Sequence, residues 1–200
     1  MKRSGFSMIE LVFVIVILGV LAAVAVPRFV ATRTDAQVAT ARSDLASAQK
    51  AIVAKVFADN IDPTQSKAPD PNKPVAGQNP NKDWGDWIIE VAGLDGSRWE
   101  KPLAGNGITV GPLTVTNTST VQPVGNVQTD SGGKKGGCGS VLGINTTEGM
   151  LVFAPNNIGG ANVKISKATN FCYALKVSFA SSGGPGNKLI PLASTGTVEF

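Results

Sequence analysis

Between Phe6 and Val26 the chain presents 21 residues with a single charged side chain, the carboxylate of Glu10. As a helix rising ~1.5 Å per residue this run reaches about 31 Å, which matches a bilayer hydrocarbon core of about 30 Å. A carboxylate in hydrocarbon costs on the order of 2.5 kcal/mol or more unless it finds a partner, so Glu10 is a candidate functional residue. Its place near one end of the run also allows it to snorkel to headgroups. An ordinary secretory signal has an apolar core of about 7 to 15 residues and would not carry this acid. Ala22-Ala23-Val24-Ala25 imitates the small-residue cleavage site of such a signal, so removal of a conventional signal peptide is the competing reading.

After Pro27 the apolar residues recur at Val30, Val38, Ala41, Leu45, Ala48, Ile52 and Val56, and these spacings trace one helical face. Arg28, Arg33, Asp35, Arg42, Asp44 and Lys50 lie mostly off that stripe. The stretch from Val30 to Ala58 is rich in alanine and free of proline, which favours helix. A continuous helix from Phe6 to Ala58 would be about 80 Å long, so half of it must stand outside a bilayer. Gly19 and Pro27 bracket its weakest part, because glycine lowers helix propensity and proline removes a donor and crowds the preceding turn. A gentle kink in an intact helix is the expectation for an isolated chain.

The residues Lys2, Arg3, Gly5, Phe6-Ser7-Met8-Ile9-Glu10-Leu11-Val12, the apolar tract to Pro27 and the amphipathic continuation to Ala58 together resemble the N-terminus of type IV prepilins and of the pseudopilins of type II secretion systems. The resemblance implies cleavage between Gly5 and Phe6 by a prepilin peptidase and methylation of the new Phe6 amine. It implies that Glu10 pairs with the Phe6 amine of a neighbouring subunit during filament growth, and that helix is lost between Gly19 and Pro27 when subunits pack. The partners it implies are identical or homologous pilin subunits, the peptidase, an inner-membrane assembly platform and the membrane itself. The basic flank Lys2 and Arg3 predicts a single pass with a cytoplasmic N-terminus, followed by a periplasmic or cell-surface filament.

Residues 59–82 carry five prolines and almost no large apolar side chain, the composition of a long surface loop and a candidate contact surface. Trp84, Trp87 and Trp99 follow; they could stack a ligand, but core packing is the preferred reading. Short β-branched or aromatic runs separated by Gly, Asn and Pro clusters then predict strands at 108–110, 113–116, 140–144, 150–154, 163–166, 172–179 and 197–200. In the run to Phe179 the alternation is clearest, with Tyr173, Leu175, Val177 and Phe179 on one face. The expected fold is α+β: a long N-terminal helix, membrane-spanning then amphipathic, packed on a C-terminal antiparallel sheet. The expected divisions are a leader at 1–5, a membrane or filament-core helix at 6–27, an amphipathic helix at 28–58, a Pro-rich loop at 59–82 and a β-rich domain at 83–200. Cys138 and Cys172 are expected to form a disulfide in an exported domain, with two buried thiols as the alternative. By the chain-entropy estimate such a bridge contributes roughly 3.5 to 4 kcal/mol, and it resembles the C-terminal disulfide of many type IV pilins.

The formal charge is +4, and loss of Lys2 and Arg3 leaves +2, which is no signature of nucleic-acid binding. Lys134-Lys135 reads as a solvated doublet. The sequence has no histidine, so the commonest general base and metal ligand are absent. It shows no CxxC pair, nucleophile elbow or phosphate loop, so no enzyme activity and no cofactor are expected. No metal site is expected either: Asp59, Asp62, Asp70 and Asp83 read as solvated loop acids rather than as a converging calcium shell. The resulting expectation is a structural subunit of a type IV pilus-like filament. A secretion pseudopilin, or a minor pilin whose tip domain binds a ligand, stays open beside it.

Overall fold

The computed structural model describes residues 7–72, 81–102, 108–110, 113–116, 119–124, 127–129, 135–159, 170–180 and 186–193. The chain divides into two compact units, Met1–Gln37 and Val38–Phe200. Helix α1 (Met8–Ala58) begins in the first and ends in the second. It is uninterrupted through Gly19 and Pro27. Among the described residues no helix is long and apolar enough to cross a membrane. The apolar run with described side chains extends from Met8 to Ala23, about 24 Å of helix at ~1.5 Å per residue against a core of about 30 Å. The remaining side chains of the predicted span lie outside the described residues.

Within the second unit, Val38, Ala41, Leu45, Ala48, Ile52 and Val56 of α1 are all buried. These are the stripe read from the periodicity apart from Val30, whose side chain lies outside the described residues. Full burial stabilises a side chain the size of Leu45, Ile52 or Val56 by roughly 1.5 to 3 kcal/mol, so this face anchors the helix far more strongly than propensity does. Its end is a Schellman turn: Ile61 N–H donates to Val56 O at 2.9 Å and Asn60 N–H to Phe57 O at 3.4 Å. Asn60 takes the left-handed conformation that the turn requires, with φ 48°. Val56 and Ile61, on either side of the turn, join the same core.

A second helix, α2 (Trp84–Val91), buries Trp84, Gly85, Trp87 and Ile88. Beyond it lie β1 (Trp99–Glu100), β2 (Ile108–Val110), β3 (Leu113–Val115), β4 (Thr120–Pro123), β5 (Val127–Thr129), β6 (Lys135–Gly136), β7 (Leu142–Asn145), β8 (Met150–Phe153), α3 (Asn170–Ala180) and β9 (Lys188–Pro191). The main sheet is antiparallel in the order β1-β4-β7-β8-β9, beside the two-stranded ribbons β2-β3 and β5-β6. The β7-β8 hairpin sets Leu142 opposite Phe153 and Asn145 opposite Met150. The Asn145 side chain closes its turn by accepting from Thr147 N–H at 2.9 Å and Glu148 N–H at 2.8 Å. Gly149 supplies the positive φ of 61°. The architecture is therefore α+β, a long N-terminal helix followed by an antiparallel sheet domain.

One predicted strand is a helix. The 172–179 run forms α3, and its buried residues are Cys172, Leu175 and Phe179. Those positions are three and four apart, a helical spacing, whereas Val177, which a strand would place on the buried face, is 42% exposed. Short apolar runs satisfy both periods, and here the tertiary partner chose: the Cys172 bridge and the Phe179 ring, edge-on to Phe153 at 5.9 Å, fix the helical face. Conversely β4 and β9 were not expected from their composition, since each ends in proline and β4 carries Thr120 and Gln122. The predicted strands at 163–166 and 197–200 lie outside the described residues.

Of the predicted loop at 59–82, residues 73–80 lie outside the described residues, and the rest is not simply a surface loop. Ile61, Pro63, Ala68 and Pro69 are buried, Ala68 pairs with Lys82 in an isolated bridge, and Gln65 O accepts from Trp84 Nε1 at 2.8 Å. Trp84, Trp87 and Trp99 are core residues at 0%, 0% and 2% exposure, which leaves no ring face for a ligand. Trp84 and Trp87 meet edge to face at 5.3 Å.

Candidate functional site

The start of α1 is built by two residues acting on each other. Ser7 is the N-cap: its carbonyl accepts Leu11 N–H at 3.3 Å and its hydroxyl accepts Ile9 N–H at 3.3 Å. Glu10, three residues on, reaches back with Oε2 to Ser7 N–H at 2.8 Å. This reciprocal arrangement resembles a capping box, with the hydroxyl on the second rather than the third helical N–H, and it satisfies two backbone donors that a helix start otherwise leaves open. A carboxylate in the first turn also meets the positive end of the helix dipole. The Ser-x-x-Glu spacing from Ser7 to Glu10 is the sequence signal of this cap.

Around this cap the helix surface is apolar and uncovered. Met8, Ile9, Leu11, Val12, Phe13 and Val14 are 50 to 86% exposed, and the large apolar residues from Ile15 to Leu21 are 42 to 63% exposed. An exposed stretch of this kind on one helix is far beyond what a soluble surface carries singly, so it marks a face that meets lipid or other protein. A Cβ at Gly19 would meet no atom within 4 Å, so that position needs glycine for no contact within this chain. Pro27 lies within the helix, while Gly5 and Phe6 are outside the described residues.

The second unit carries a separate cluster. The side chains of Asp83, at the N-cap of α2, and Asp86, in its first turn, surround Lys101, which donates to them at 2.9 and 2.7 Å. Lys67 also pairs with Asp83, and Lys82 and Asn72 both engage Glu90. Hydrogen bonds from Lys67, then Lys101, hold the Asp83 carboxyl below the ordinary carboxylate range. Burial alone would push Lys101 down, but its bonds to Asp86 and Asp83 leave it raised. Asp62, read as a solvated acid, sits in an exposed turn and accepts from the Thr64 hydroxyl at 2.6 Å, Gln65 Nε2 at 2.8 Å and Thr64 N–H at 2.9 Å, which lower its pKa. Among the described residues no group of three or more acidic, Cys or His side chains is placed to hold a metal ion.

Cys138 and Cys172 are joined in a disulfide, both fully buried, with Cα atoms 5.2 Å apart. The bridge ties the segment entering β7 to α3. Arg42 of α1 holds the far end of α3, donating to Ser178 O at 2.9 Å and lying 5.2 Å from the centre of the Phe179 ring.

The helix start combines a capped acid with an exposed apolar surface. Residues 1–26 match the family described as the prokaryotic N-terminal methylation motif. Over 81 residues the chain is 35% identical to the type II secretion system core protein G of Aeromonas hydrophila, a stretch that makes up 40% of this chain and 57% of that protein. The chain thus spans little more than half the length of this curated relative. Both similarities, one to a methylation motif and one to a type II secretion core protein, agree with the resemblance carried by the N-terminal residues. No solved structure matches it.

Proposed function

We propose that the chain is a structural, non-catalytic subunit of a type IV pilus-like filament, cleaved between Gly5 and Phe6, methylated at Phe6 and assembled through α1. The observation that carries this reading is a methylation motif set directly on an exposed apolar helix with one acid in its first turn. In this reading a peptidase acts while the apolar run sits in the inner membrane with Lys2 and Arg3 on the cytoplasmic side. The subunit then leaves lipid for a filament in which copies of α1 pack together. Head-to-tail contacts repeat without closing, which is how one chain makes a fibre. Glu10 would pair with the Phe6 amine of the neighbouring copy, since a carboxylate drawn into an apolar bundle needs a charged donor. Helix between Gly19 and Pro27, continuous in the single chain, would be lost as the subunits pack. The remaining partners are an assembly platform in the inner membrane and homologous subunits.

Similarity to a type II secretion core protein favours a second reading, a subunit of a short periplasmic pseudopilus. Mass spectrometry of sheared surface filaments beside periplasmic fractions separates the two. Abundance in sheared filaments supports the pilus, and confinement to the cell envelope supports the pseudopilus. A mature chain that begins after Ala23 or Ala25 would overturn both.

A further inference from the structure

We infer that Glu100 and Gln122 form a proton-operated latch on the outer strand of the main sheet: as a carboxylic acid Glu100 donates its O–H to the buried Gln122 Oε1 and locks β1 onto β4, and loss of that proton loosens the strand. The two residues stand opposite each other in the β1-β4 ladder. In the sheet order β1 is a terminal strand with β4 as its neighbour. Gln122 is 1% exposed and donates from Nε2 to Glu100 Oε1 at 3.1 Å. Its Oε1 is buried and, among the described residues, meets no donor. The Gly137 backbone lies against this amide, since a Cβ there would come within 2.6 Å of Gln122 Cδ and 2.5 Å of Pro123 O. A buried acceptor left in this way is costly, and an ionised carboxylate, which has only acceptors, cannot satisfy it.

A proton on Glu100 Oε2, taken from solvent, changes the pairing. Oε1 keeps the bond from Nε2 while the new O–H supplies the donor that Gln122 Oε1 lacks, and the carboxyl turns about its broad terminal torsion to close an acid–amide ring. Two neutral hydrogen bonds roughly offset one charge-assisted bond, so relief of the buried acceptor tips the balance to the acid. Half-burial leaves Glu100 open to proton exchange, and desolvation favours its neutral form as well. Of the elements packed against β1, β4 carries no titratable side chain, and α2 carries Asp86 and Glu90, which are engaged by Lys101 and Lys82. Arg98, before β1, pairs with Asp44 and Asp95, and Lys101, after it, also bonds to Asp83. The side chain of Lys135 in β6 lies outside the described residues. Among the described residues no cation pairs with Glu100. The latch therefore closes as pH falls through the folded titration of Glu100, at higher pH than the acid loss of the Asp83 contribution.

The test uses the full chain in detergent micelles, with NMR of isotope-labelled side-chain carboxyl groups and amide exchange at Val124, whose N–H donates to Arg98 O at 2.7 Å beside the β1-β4 pair. Glu100 should titrate above the ordinary carboxylate range, and the Gln122 side-chain amide should shift with the same midpoint. Protection at Val124 should rise about five-fold or more as pH falls through that midpoint, the factor carried by one satisfied buried acceptor. Glu100→Gln, whose amide N–H reproduces the donor of the acid, should show the acid-level protection at every pH. Gln122→Met, which removes donor and acceptor together, should lower the Glu100 midpoint, because desolvation stays while the acid loses its ring. A Glu100 midpoint in the ordinary range, pH-independent protection at Val124 in the wild type, or a midpoint that Gln122→Met raises or leaves unchanged overturns the latch. The last result would mean that burial alone acts on the carboxyl. If Gln122→Met does not fold, the wild-type titration and Glu100→Gln decide.

Discussion

At the residue scale the energetics are decided by what each polar group finds. Glu100 is half-buried, accepts from Gln122 Nε2 at 3.1 Å, and is pushed up by burial more than that bond pulls it down. A carboxyl whose folded pKa is raised contributes stability while protonated, and the contribution is lost as pH rises through its folded pKa. Glu100→Gln keeps an acceptor for Gln122 and removes the desolvated charge. It should therefore raise Tm at neutral pH, with the gain vanishing below the ordinary carboxylate range; thermal melts at both pH values measure this. Asp83 has the opposite sign, its lowered pKa giving stability at neutral pH that disappears as acid protonates it.

Gly85 tests two effects of opposite sign. Alanine would favour α2 by about 1 kcal/mol of helix propensity. Its Cβ would lie 2.7 Å from Thr120 O and 2.9 Å from Lys101 Cγ, however, and a backbone carbonyl in the sheet cannot step aside as a lysine stem can. Overpacking of this kind costs typically 1 to 3 kcal/mol, so Gly85→Ala should be net destabilising in denaturant unfolding.

Among the elements, α1 and α3 teach different lessons. Six apolar residues of α1 in the second unit repeat at helical spacing, so burial and propensity agree and the sequence alone predicts them. Ile52→Ala, at a fully buried position, should cost about 2 to 5 kcal/mol in the stability of the second unit. In α3 the same kind of reading failed, because Tyr173, Leu175, Val177 and Phe179 alternate as a strand would while Cys172, Leu175 and Phe179 also fit a helix. The disulfide and the Arg42 contacts to Ser178 and Phe179 decide the matter, and neither is local. Replacing both cysteines by serine should destabilise this unit by roughly 2 to 4 kcal/mol without changing the membrane association that the proposed function assigns to the N-terminal apolar run. Nonreducing peptide mapping of isolated protein gives the companion check: recovery of both residues as free thiols would contradict the bridge.

For the whole molecule, the prediction that matters is Glu10→Leu. Leucine makes the apolar helix more comfortable in lipid by on the order of 2.5 kcal/mol or more, so membrane retention and Gly5 cleavage should persist. Ordered filament growth should fall, because the neighbour's amine then meets no counter-charge. The ratio of sheared to membrane-bound subunit is the measurement, and an unchanged ratio would leave Glu10 as a snorkelling acid.

Two kinds of information met in this chain. The sequence by itself determined the long helix, its buried face from Val38 to Val56, the acid in the apolar tract and the match to a methylation motif, because these are periodic or contiguous patterns whose physics is local. The burial of the three tryptophans followed from their size and apolarity. The tertiary structure alone decided that 172–179 is helix, that β4 and β9 complete the sheet, that Lys101 crosses Gly85 to join Asp83 and Asp86, and that Trp99 Nε1 reaches Asp44 at 2.9 Å. Each of those outcomes depends on a partner distant in sequence, and a short segment compatible with two local conformations takes the one whose distant contacts bury more surface and satisfy more donors.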